Sequence, residues 1–534
     1  MTVLLPLLKP GFVLTLDMVF TPHIRLPGVT TSSYLFYAVL HVLNFVVPAD
    51  VLQKLVLFAI LLLSGLGMHQ FVEYVRGKPV TGYAAAGVYM GGALYMINPF
   101  VYSRFMAGQF AVLLGYSLLP FFARSLLVLL QRPSWRSSIA LAVWAAVIGV
   151  VSIHSLGLAG ILFMVGLALT LWRDRGAADR LPVVLKFAAM SVLLACAASS
   201  LWLIPLILGR STAAQAISGF GQGDVQAFAT LGGGVFGRLA NVLRLQGFWV
   251  EGRHLFVLPQ EHMVAWGVIV LLLWLLLAFG VRNVWRRYER FIAVWLLVSA
   301  SVGVLLAIGV AGTLLDRTVP FFGGFREPHK FTGLLAFAFA FLAAEGAVTA
   351  LARYEQKGSK VRTGVAVCAV ALLPIALTPT MFFGFNGQLQ PRQYPTAWHD
   401  VNAQLDSDRS DFKALFLPWH LYMYYGFAGR IIASPAPAFF DKPMIVSNQP
   451  EFGHASPSMP DAQKNLLNSQ ILPDAPQGTH LGAGLAPLHI KYVLLDKDDD
   501  YHNYSYLDHQ SDLRLIKQND TFRLYQNMAY GGQQ

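Results

Sequence analysis

The sequence is poor in charged residues. Asp, Glu, Lys and Arg make up 13% of its 534 residues, whereas hydrophobic residues make up 55%. Soluble domains usually contain about 25% charged residues, and their interiors cannot bury so many apolar side chains. The composition therefore excludes a soluble globular protein and predicts that lipid covers part of the surface.

Acidic residues are especially scarce in the apolar part of the chain. Up to residue 384 there are 28 Lys and Arg against 13 Asp and Glu, a balance of +15; beyond it the counts are 11 and 15, a balance of −4. The basic excess coincides with the apolar segments, where it is typical of membrane topology. No stripe of basic residues interleaved with aromatic residues occurs, so we expect no nucleic-acid partner.

The chain has only two cysteines, and it lacks the common catalytic motifs. Cys196 and Cys368 each lie in an apolar run, which predicts small buried hydrophobic residues rather than a disulfide or a zinc site. The absence of a Walker loop, a nucleophile elbow, His-Glu-x-x-His and Cys-x-x-Cys argues against an ATPase, a serine hydrolase and a zinc protease. No convincing cluster of metal ligands occurs, so the sequence leaves open whether a divalent metal ion is a cofactor.

Ten apolar runs are long enough to cross a bilayer, for which about 17–25 residues are needed. They predict an α-helical polytopic membrane protein of about ten or eleven transmembrane helices, covering residues 1–384, and a soluble α/β domain at 385–534. The predicted spans are 49–72, 80–98, 106–130, 137–153, 155–173, 183–208, 263–281, 291–312, 329–352 and 363–384.

Basic residues occur in alternate connections between these runs. One set of loops holds clusters such as Arg173, Arg175 and Arg180, whereas the other set has few Lys or Arg for its length. Because basic loops stay in the cytoplasm, the alternation places the outer loops 10–48 and 209–262 on the other side, together with the C-terminal domain. We therefore predict an integral plasma-membrane protein whose C-terminal domain is extracytoplasmic.

The apolar run at Met1–Leu8 is too short to cross the membrane. An external first loop requires an earlier helix if the N-terminus is cytoplasmic. We therefore expect either that the start of this helix is missing or that the N-terminus is external. A cleaved signal peptide is not expected, because no charged segment precedes the run.

Two segments of the outer loops have the composition of helices that lie on a bilayer surface. Residues 32–47 are apolar but short, and Pro48 follows them. Residues 235–249 carry apolar residues interleaved with Arg238 and Arg244. For the second segment, a helix packed inside the loop is the alternative.

Hydrophobic runs shorten to strand length after residue 385, and Pro, Asp, Asn and Gln become more frequent. Asn519-Asp520, between two such runs, is typical of a hairpin turn. The predicted strands are Lys413–Leu417, Met444–Ser447, His489–Leu495, Leu513–Ile516 and Phe522–Tyr525.

Asp17 is the only acidic residue of the first outer loop. A carboxylate there could act as a catalytic base that deprotonates an acceptor hydroxyl. Capping of a helix or turn is the alternative, because Asp often supplies caps. His23, in the same loop, is a candidate for substrate binding.

Asn98-Pro99 is a strong signal for the end of a helix, and it places Arg104 at the outer interface. The guanidinium of Arg104 could bind a phosphate through two hydrogen bonds. The alternative is an arginine that extends to lipid headgroups.

The densest charged cluster of the outer loops, residues 326–330, lies directly before a predicted span. Arg326 and Lys330 could bind a phosphate leaving group at the positive end of that helix, with His329 as a further substrate contact. Glu327 could act as a second catalytic carboxylate, or it could pair with Arg326.

Two more outer residues are candidates for substrate binding. Trp249 could stack on a sugar, although an interfacial aromatic belt also explains it. His154 divides two short spans and points to the same outer cavity. A lone histidine at such a place is more often satisfied by a backbone carbonyl.

The layout resembles the C-superfamily (GT-C type) of integral membrane glycosyltransferases: an Asp in the first outer loop, a surface helix, about eleven spans and an outer C-terminal domain. Within it, several short motifs are similar to cell-wall arabinofuranosyltransferases and related uncharacterised multi-pass membrane proteins. These motifs are Asn98-Pro99-Phe100 with Arg104, Gly108-Gln109, Gly115-Tyr116 with Leu119-Pro120, Phe325–Phe331, Leu417–His420 and Lys491–Leu495.

The resemblance implies a transferase that takes a sugar from a polyprenyl-phosphate donor and passes it to an extracytoplasmic glycan, lipid or protein. Asp17 would be the base, and Arg104, Arg326 and Lys330 would hold the lipid phosphate. Many members carry a paired acidic motif in the first loop, whereas Asp17 stands alone. Two alternatives remain: a transporter or flippase of a lipid-linked or anionic solute, and a non-catalytic membrane assembly factor.

Overall fold

The computed structural model of the chain has a helical bundle followed by a small mixed sheet. It describes residues 3–531 except 177–178, 219–225, 263–264, 288–289, 311, 313–314, 316–317, 320, 357–358 and 449–460. The helices up to the sheet are α1 (Tyr34–Asn44), α2 (Ala49–Arg76), α3 (Ala85–Met96), α4 (Pro99–Ala107), α5 (Phe110–Gln131), α6 (Trp135–Val151), α7 (Ile153–Arg173), α8 (Arg180–Ala198), α9 (Ser200–Ile207), α10 (Thr212–Ser218), α11 (Gly234–Leu243), α12 (Trp266–Arg287), α13 (Arg290–Ala307), α14 (Thr332–Gln356), α15 (Lys360–Leu377) and α16 (Thr396–Ser407).

The helical bundle confirms the predicted fold class. Among the described residues, nine segments are long and apolar enough to cross a membrane, with α3 and α4 counted as one segment. α6 is a further apolar helix of 17 residues. Each of the ten predicted spans coincides with one of these segments, so the chain is a multi-pass helical membrane protein.

Two predicted spans are divided in the structure. α3 ends at Met96, as the Asn-Pro signal predicts, but a new helix begins at once because the Asn98 side chain accepts the backbone N–H of Val101. Pro99 then occupies the first helical position, where no N–H is needed. The predicted span 183–208 is likewise divided at Ser199, which lies between α8 and α9.

α14 is the central helix, and it contacts α12 very closely. Gly280 on α12 and Gly346 on α14 lie where the two backbones meet. A Cβ atom at either position would overlap a carbonyl oxygen of the other helix, from Leu342 or Leu276 respectively. Small residues that let backbones approach are typical of packing between membrane helices.

The outer faces of the bundle correct the prediction for the cysteines. Cys196 on α8 and Cys368 on α15 are both exposed, so the prediction that they are buried is wrong. The apolar composition of a membrane helix does not distinguish the side that faces lipid from the side that faces protein, since lipid tails are as apolar as the packed core.

The two predicted surface helices both form. α1 leaves Leu35, Val39 and Val42 exposed, as a helix that lies on a bilayer requires. α11 begins with the exposed Phe236, but its other end packs on the bundle, where the Trp274 indole donates to the carbonyl of Leu243 at 3.1 Å. The alternative prediction, a helix packed inside the loop, is therefore the one that fits the C-terminal end of α11.

The C-terminal region contains a five-stranded sheet with strand order β6-β3-β7-β9-β8. β3 is parallel to β6 and β7, whereas β9 is antiparallel to β7 and β8. All five predicted strands form, and the Asn519 carboxamide accepts two backbone N–H groups of the predicted turn before β9. The strands are β1 (Phe12–Val13), β2 (Pro391–Arg392), β3 (Lys413–Leu417), β4 (Tyr422–Tyr425), β5 (Arg430–Ala433), β6 (Met444–Ile445), β7 (Ile490–Asp496), β8 (Leu513–Gln518) and β9 (Phe522–Asn527). Short helices between the strands are Ala436–Phe439, Ala462–Leu466, Leu472–Asp474 and Leu481–Leu485.

Two further pairs of strands form outside the five-stranded sheet, and one of them joins the C-terminal region to the first loop. The antiparallel hairpin β4–β5 was not predicted, and it lies apart from the five-stranded sheet. β1, in the first loop, pairs with β2, with Phe12 opposite Arg392. The first loop and the C-terminal region are therefore held together by backbone hydrogen bonds.

Candidate functional site

The first loop is held between the bundle and the C-terminal hairpin. The Gln53 side chain on α2 bonds both backbone groups of Val13, at 2.9 and 2.8 Å. The backbone N–H of Asp17 donates to the carbonyl of Ala107 at the end of α4, and the N–H of Ala433 on β5 donates to the carbonyl of Leu16, both at 2.8 Å. The backbone around Asp17 is thus fixed from two sides.

The end of α4 needs a glycine for this arrangement. Gly108 has φ +83°, a left-handed conformation that closes the helix, and a Cβ atom there would overlap the hydroxyl of Thr15. The close approach of the first loop to Gly108 sets the position of Asp17 relative to the next residue, Gln109.

Asp17 accepts hydrogen bonds from two side chains. The hydroxyl of Tyr422, on β4, donates to Oδ1 at 2.7 Å, and the Gln109 amide donates to Oδ2 at 3.4 Å. The side chain reaches solvent, but protein surrounds it at longer range. This loss of hydration raises the pKa of Asp17 to about 6; the Tyr422 hydrogen bond opposes the rise, and the negative charge of Glu327 adds to it.

Glu327 lies on the other side of Gln109. The same amide nitrogen of Gln109 donates to Glu327 at 3.0 Å, while Lys330 Nζ and Arg104 Nη1 lie 3.6 and 3.5 Å from the carboxylate. Burial alone would raise the pKa of Glu327, but the two cations and the Gln109 hydrogen bond outweigh it and lower the pKa to about 2. Glu327 therefore pairs with Lys330 and Arg104, and it is ionised at any working pH.

Arg104 is not at the headgroup interface, as the sequence predicted, but is 0% exposed. Its guanidinium lies between the rings of Phe100 and Phe248, 4.9 and 4.4 Å from their centroids. It also donates a hydrogen bond to the side-chain oxygen of Gln109 and lies 3.2 Å from His329 Nδ1. Burial rules out the alternative of a side chain that extends to lipid headgroups. The predicted role of Arg104 in binding a phosphate stays a prediction, and in the structure Arg104 orients Gln109.

His329 continues this network into the loop before α12. Its Nε2 lies 2.9 Å from the carbonyl oxygen of Gln246, which can only accept a hydrogen bond. The proton is therefore assigned to Nε2, and Nδ1 accepts from Arg104. His329 is buried and contacts Arg104, and its predicted role in substrate binding stays a prediction.

A third carboxylate, Glu251, supports the loop that precedes α12. Glu251 is buried; it accepts the Ser103 hydroxyl at 2.7 Å and the backbone N–H of Gly247 at 2.9 Å. Burial raises its pKa to about 7 despite these hydrogen bonds. Because Ser103 precedes Arg104, Glu251 links α4 to the segment that carries Phe248.

A cavity of about 480 Å³ lies next to Glu327. It brings together four of the predicted site residues, and hydroxyl groups of Thr30, Thr31 and Ser32 lie on its wall. The predicted residues that line it are His154, Arg326, Glu327 and Lys330. The His154 ring meets Phe325 edge-on, and its buried Nδ1 has no hydrogen-bond partner among the described residues.

The other five predicted site residues do not line this cavity: Asp17, Arg104 and His329 are linked to Glu327 by the contacts described above, whereas two lie apart from both. His23 is exposed in the first loop, and the hydrogen bond recorded there involves its backbone carbonyl. Trp249 is 3% exposed and packs edge-on against Phe228 and Phe248. Their substrate-binding roles stay predictions; in the structure Trp249 supports the Phe248 ring over Arg104.

An apolar groove of about 270 Å³ adjoins the cavity. Trp202 lines both spaces, and the groove continues between α6, α7 and α8 past Leu156, Ala159 and Gly160. A charged cavity with an apolar groove beside it, between membrane helices, has the polarity that suits a molecule with a charged head and a lipid tail. Among the described residues, no group of three or more His, Cys, Asp or Glu side chains is placed to hold a metal ion.

Two residues of the site were missed by the sequence analysis. Gln109 was noted only as part of a motif, and its role as the bridge between two carboxylates depends on contacts 92 and 218 residues away. Tyr422 lies 405 residues from Asp17. Neither carries charge, and the sequence holds no signal that pairs them with Asp17.

The comparisons with known proteins agree with this architecture. No protein-family model matches the chain, and no curated protein matches it significantly in sequence. Its structure is similar to the cryo-EM structure of arabinofuranosyltransferase AftD from Mycobacteria, with TM-score 0.66 and 17% identity over 98% of this chain and 39% of AftD. A mutant of AftD gives TM-score 0.65 and 15% identity over 98% of this chain and 41% of the other.

The chain spans about two fifths of the length of AftD. At this identity the likeness concerns the fold, and it extends over nearly all of the present chain. It agrees with the resemblance that the sequence motifs indicated: over nearly all of its length the chain has the fold of the solved arabinofuranosyltransferase AftD.

Proposed function

We propose that the chain is a membrane glycosyltransferase that moves a sugar from a polyprenyl-phosphate donor to an extracytoplasmic acceptor. The proposal rests on one observation: the side-chain amide of Gln109 donates hydrogen bonds to two carboxylates, Asp17 and Glu327, beside a basic cavity. Opposite shifts of the two pKa values distinguish their roles: Asp17 can exchange a proton near pH 6, whereas Glu327 stays charged.

In the proposed reaction, Asp17 is the catalytic base. It takes the proton of an acceptor hydroxyl while the acceptor oxygen forms a bond to the anomeric carbon. The bond from that carbon to the phosphate oxygen breaks, and its electrons leave with the polyprenyl phosphate. Arg326 and Lys330 stabilise the charge of this leaving group, and the single displacement inverts the anomeric configuration.

The orientation in the membrane follows from the loop charges. The loops that meet at the site are the ones poor in Lys and Arg for their length, and the basic loops lie at the other end of the helices. By the positive-inside rule, the site and the C-terminal sheet are extracytoplasmic in the plasma membrane.

The proposal is tested by turnover with defined donors. The purified full chain, in lipid, is incubated with a panel of radiolabelled polyprenyl-phosphate sugars, and transfer or hydrolysis of the sugar is measured. Turnover of a donor supports the proposal. The absence of turnover with every donor would overturn it and favour the transporter or the assembly factor.

Tyr422→Phe is expected to change the pH dependence of turnover. The hydrogen bond from Tyr422 favours the ionised form of Asp17, so its removal raises the pKa of Asp17 further. A hydrogen bond to a charged group is worth ~1.5–3 kcal/mol, which corresponds to a shift of about one to two pH units. A base must be deprotonated, so the midpoint of kcat/KM against pH is expected to move up from about 6 by that amount.

Tyr424→Phe is the matched control, because Tyr424 lies on the same strand but its side chain is exposed. Its profile is expected to equal that of the wild type. An unchanged midpoint in Tyr422→Phe would show that the β4–β5 hairpin does not tune Asp17.

Gly160→Phe is expected to weaken binding of long-chain donors. Gly160 lines the apolar groove, and a Cβ atom there meets no atom within 4 Å, so a larger side chain fills the groove without a clash. Each displaced methylene group costs about 0.8 kcal/mol, so the loss of two raises KM by roughly tenfold or more.

The matched control for this variant is Gly364→Phe on α15, where a Cβ atom likewise meets nothing within 4 Å. KM is measured for a long polyprenyl donor and for a short isoprenyl donor that does not reach the groove. An equal rise of KM for both donors, or none for either, would exclude the groove as the site of the lipid tail.

A further inference from the structure

A second large cavity lies at the opposite end of the bundle. It has a volume of about 800 Å³ and is lined by the end of α5, the end of α7 and the beginnings of α8 and α13. Three arginines come from three of these helix ends: Arg173, Arg180 and Arg290. The described residues that line the cavity include no carboxylate.

Two of the arginines are oriented by a carboxylate behind the wall. Asp174, whose side chain is 10% exposed, accepts from Nε of Arg173 at 2.7 Å and forms an ion pair with Nε of Arg180 at 3.1 Å. Arg180 also donates to the carbonyl of Leu130 at 3.1 Å, and Arg173 lies over the ring of Phe291. Asp174 therefore orients both side chains, which are 33% and 41% exposed. Among the described residues, a further carboxylate close in sequence is Asp179, which is exposed next to Arg180.

The polarity of the cavity changes along the helix axis. α8 and α13 begin at the cavity whereas α5 and α7 end there, so the helix dipoles offset one another and the positive charge comes from the arginine side chains. Leu169, Phe291 and Val294 form an apolar wall further along the helices, and Trp172 at the rim is 66% exposed. Arginines at the helix ends and an apolar wall beside them match an amphiphile with an anionic head.

We propose that this cavity binds the phosphate headgroup of an anionic membrane lipid, as a site separate from the Asp17 site. Guanidinium groups suit phosphate because they donate parallel hydrogen bonds, and basic pockets between transmembrane helices select anionic headgroups. The ligand is thus a phosphate ester whose acyl chains lie along Leu169 and Val294.

The purified full chain is titrated in detergent with phosphatidylglycerol or with phosphatidylcholine of the same acyl chains, and bound lipid is counted by native mass spectrometry. The wild type is expected to retain phosphatidylglycerol in preference. Arg180→Gln and Arg290→Gln are each expected to weaken this retention about fivefold. Arg136→Gln, at an exposed arginine at the same end outside the cavity, is the matched control.

Two further measurements complete the test. Arg290→Lys keeps the charge and is expected to restore most of the retention, which separates binding from a folding defect. Competition with sn-glycerol phosphate identifies the source of the phosphate: displacement of the lipid assigns the site to a soluble phosphate ester, and its absence assigns the site to the whole lipid. Equal retention of both lipids by the wild type, or retention unchanged in both glutamine variants, would overturn the proposal.

Discussion

Asp17→Asn is expected to lower turnover by about three orders of magnitude, because general-base catalysis contributes roughly 10²–10⁴ and an amide cannot accept the acceptor's proton. The substitution keeps the size of the side chain, and the Tyr422 hydroxyl can still donate to its oxygen. The residues proposed to hold the phosphate, Arg326 and Lys330, are unchanged. We therefore expect kcat to fall while the Kd of the donor stays within a few-fold of the wild-type value.

Both quantities are measured on the same preparations, kcat with a radiolabelled donor and Kd by equilibrium binding. Asp441→Asn is the matched control, because Asp441 is an exposed carboxylate that pairs with Arg25 of the same loop at 2.9 Å. The control is expected to retain wild-type kcat. Wild-type kcat in Asp17→Asn would exclude this residue as the base and leave its hydrogen bonds with a purely structural role.

The pH dependence of turnover is also expected to distinguish Asp17→Asn from the wild type. The wild-type profile is expected to fall about tenfold per pH unit below the pKa of Asp17, near 6, because only the deprotonated form takes a proton. Asp17→Asn has no such group, so its residual rate is expected to be flat across this range.

The membrane-spanning part of the fold could be predicted because lipid imposes a length and a composition on every span. The alternation of loop charge likewise predicted which segments share a side, and the segments that carry Asp17, Arg104 and Glu327 do meet at one end of the bundle. These are local signals: each needs only one segment of the chain to be recognised.

The interior of the site could not be predicted, because it depends on pairs of residues far apart in sequence. Arg104 has the local context of an interfacial arginine, and it is buried only because Phe248 and Glu327 close over it. The hairpin β4–β5 has no alternation of apolar and polar residues that would indicate it, yet it supplies Tyr422. Charge in a loop indicates that a site exists; the neutral residues that tune it are visible only in three dimensions.

Glu327→Gln is expected to destabilise the folded protein by about 3–5 kcal/mol, the usual cost of leaving a buried charge without its partner. The carboxylate lies between two cations that are themselves buried, Lys330 at 3.6 Å and Arg104 at 3.5 Å. No other carboxylate among the described residues forms an ion pair with either cation. Thermal unfolding of the purified protein in detergent is expected to show a clear fall in Tm.

The matched control is Glu355→Gln, at an exposed position near the end of α14, whose Tm is expected to equal that of the wild type. Adding Lys330→Met to Glu327→Gln removes one of the two unpaired cations, so the double variant is expected to regain part of the lost stability. A fall in kcat without any fall in Tm would contradict the charge-balancing role and favour Glu327 as the catalytic group. The low pKa of Glu327 argues for the expected fall in Tm, because a carboxylate that Lys330 and Arg104 hold ionised is a weaker base than Asp17.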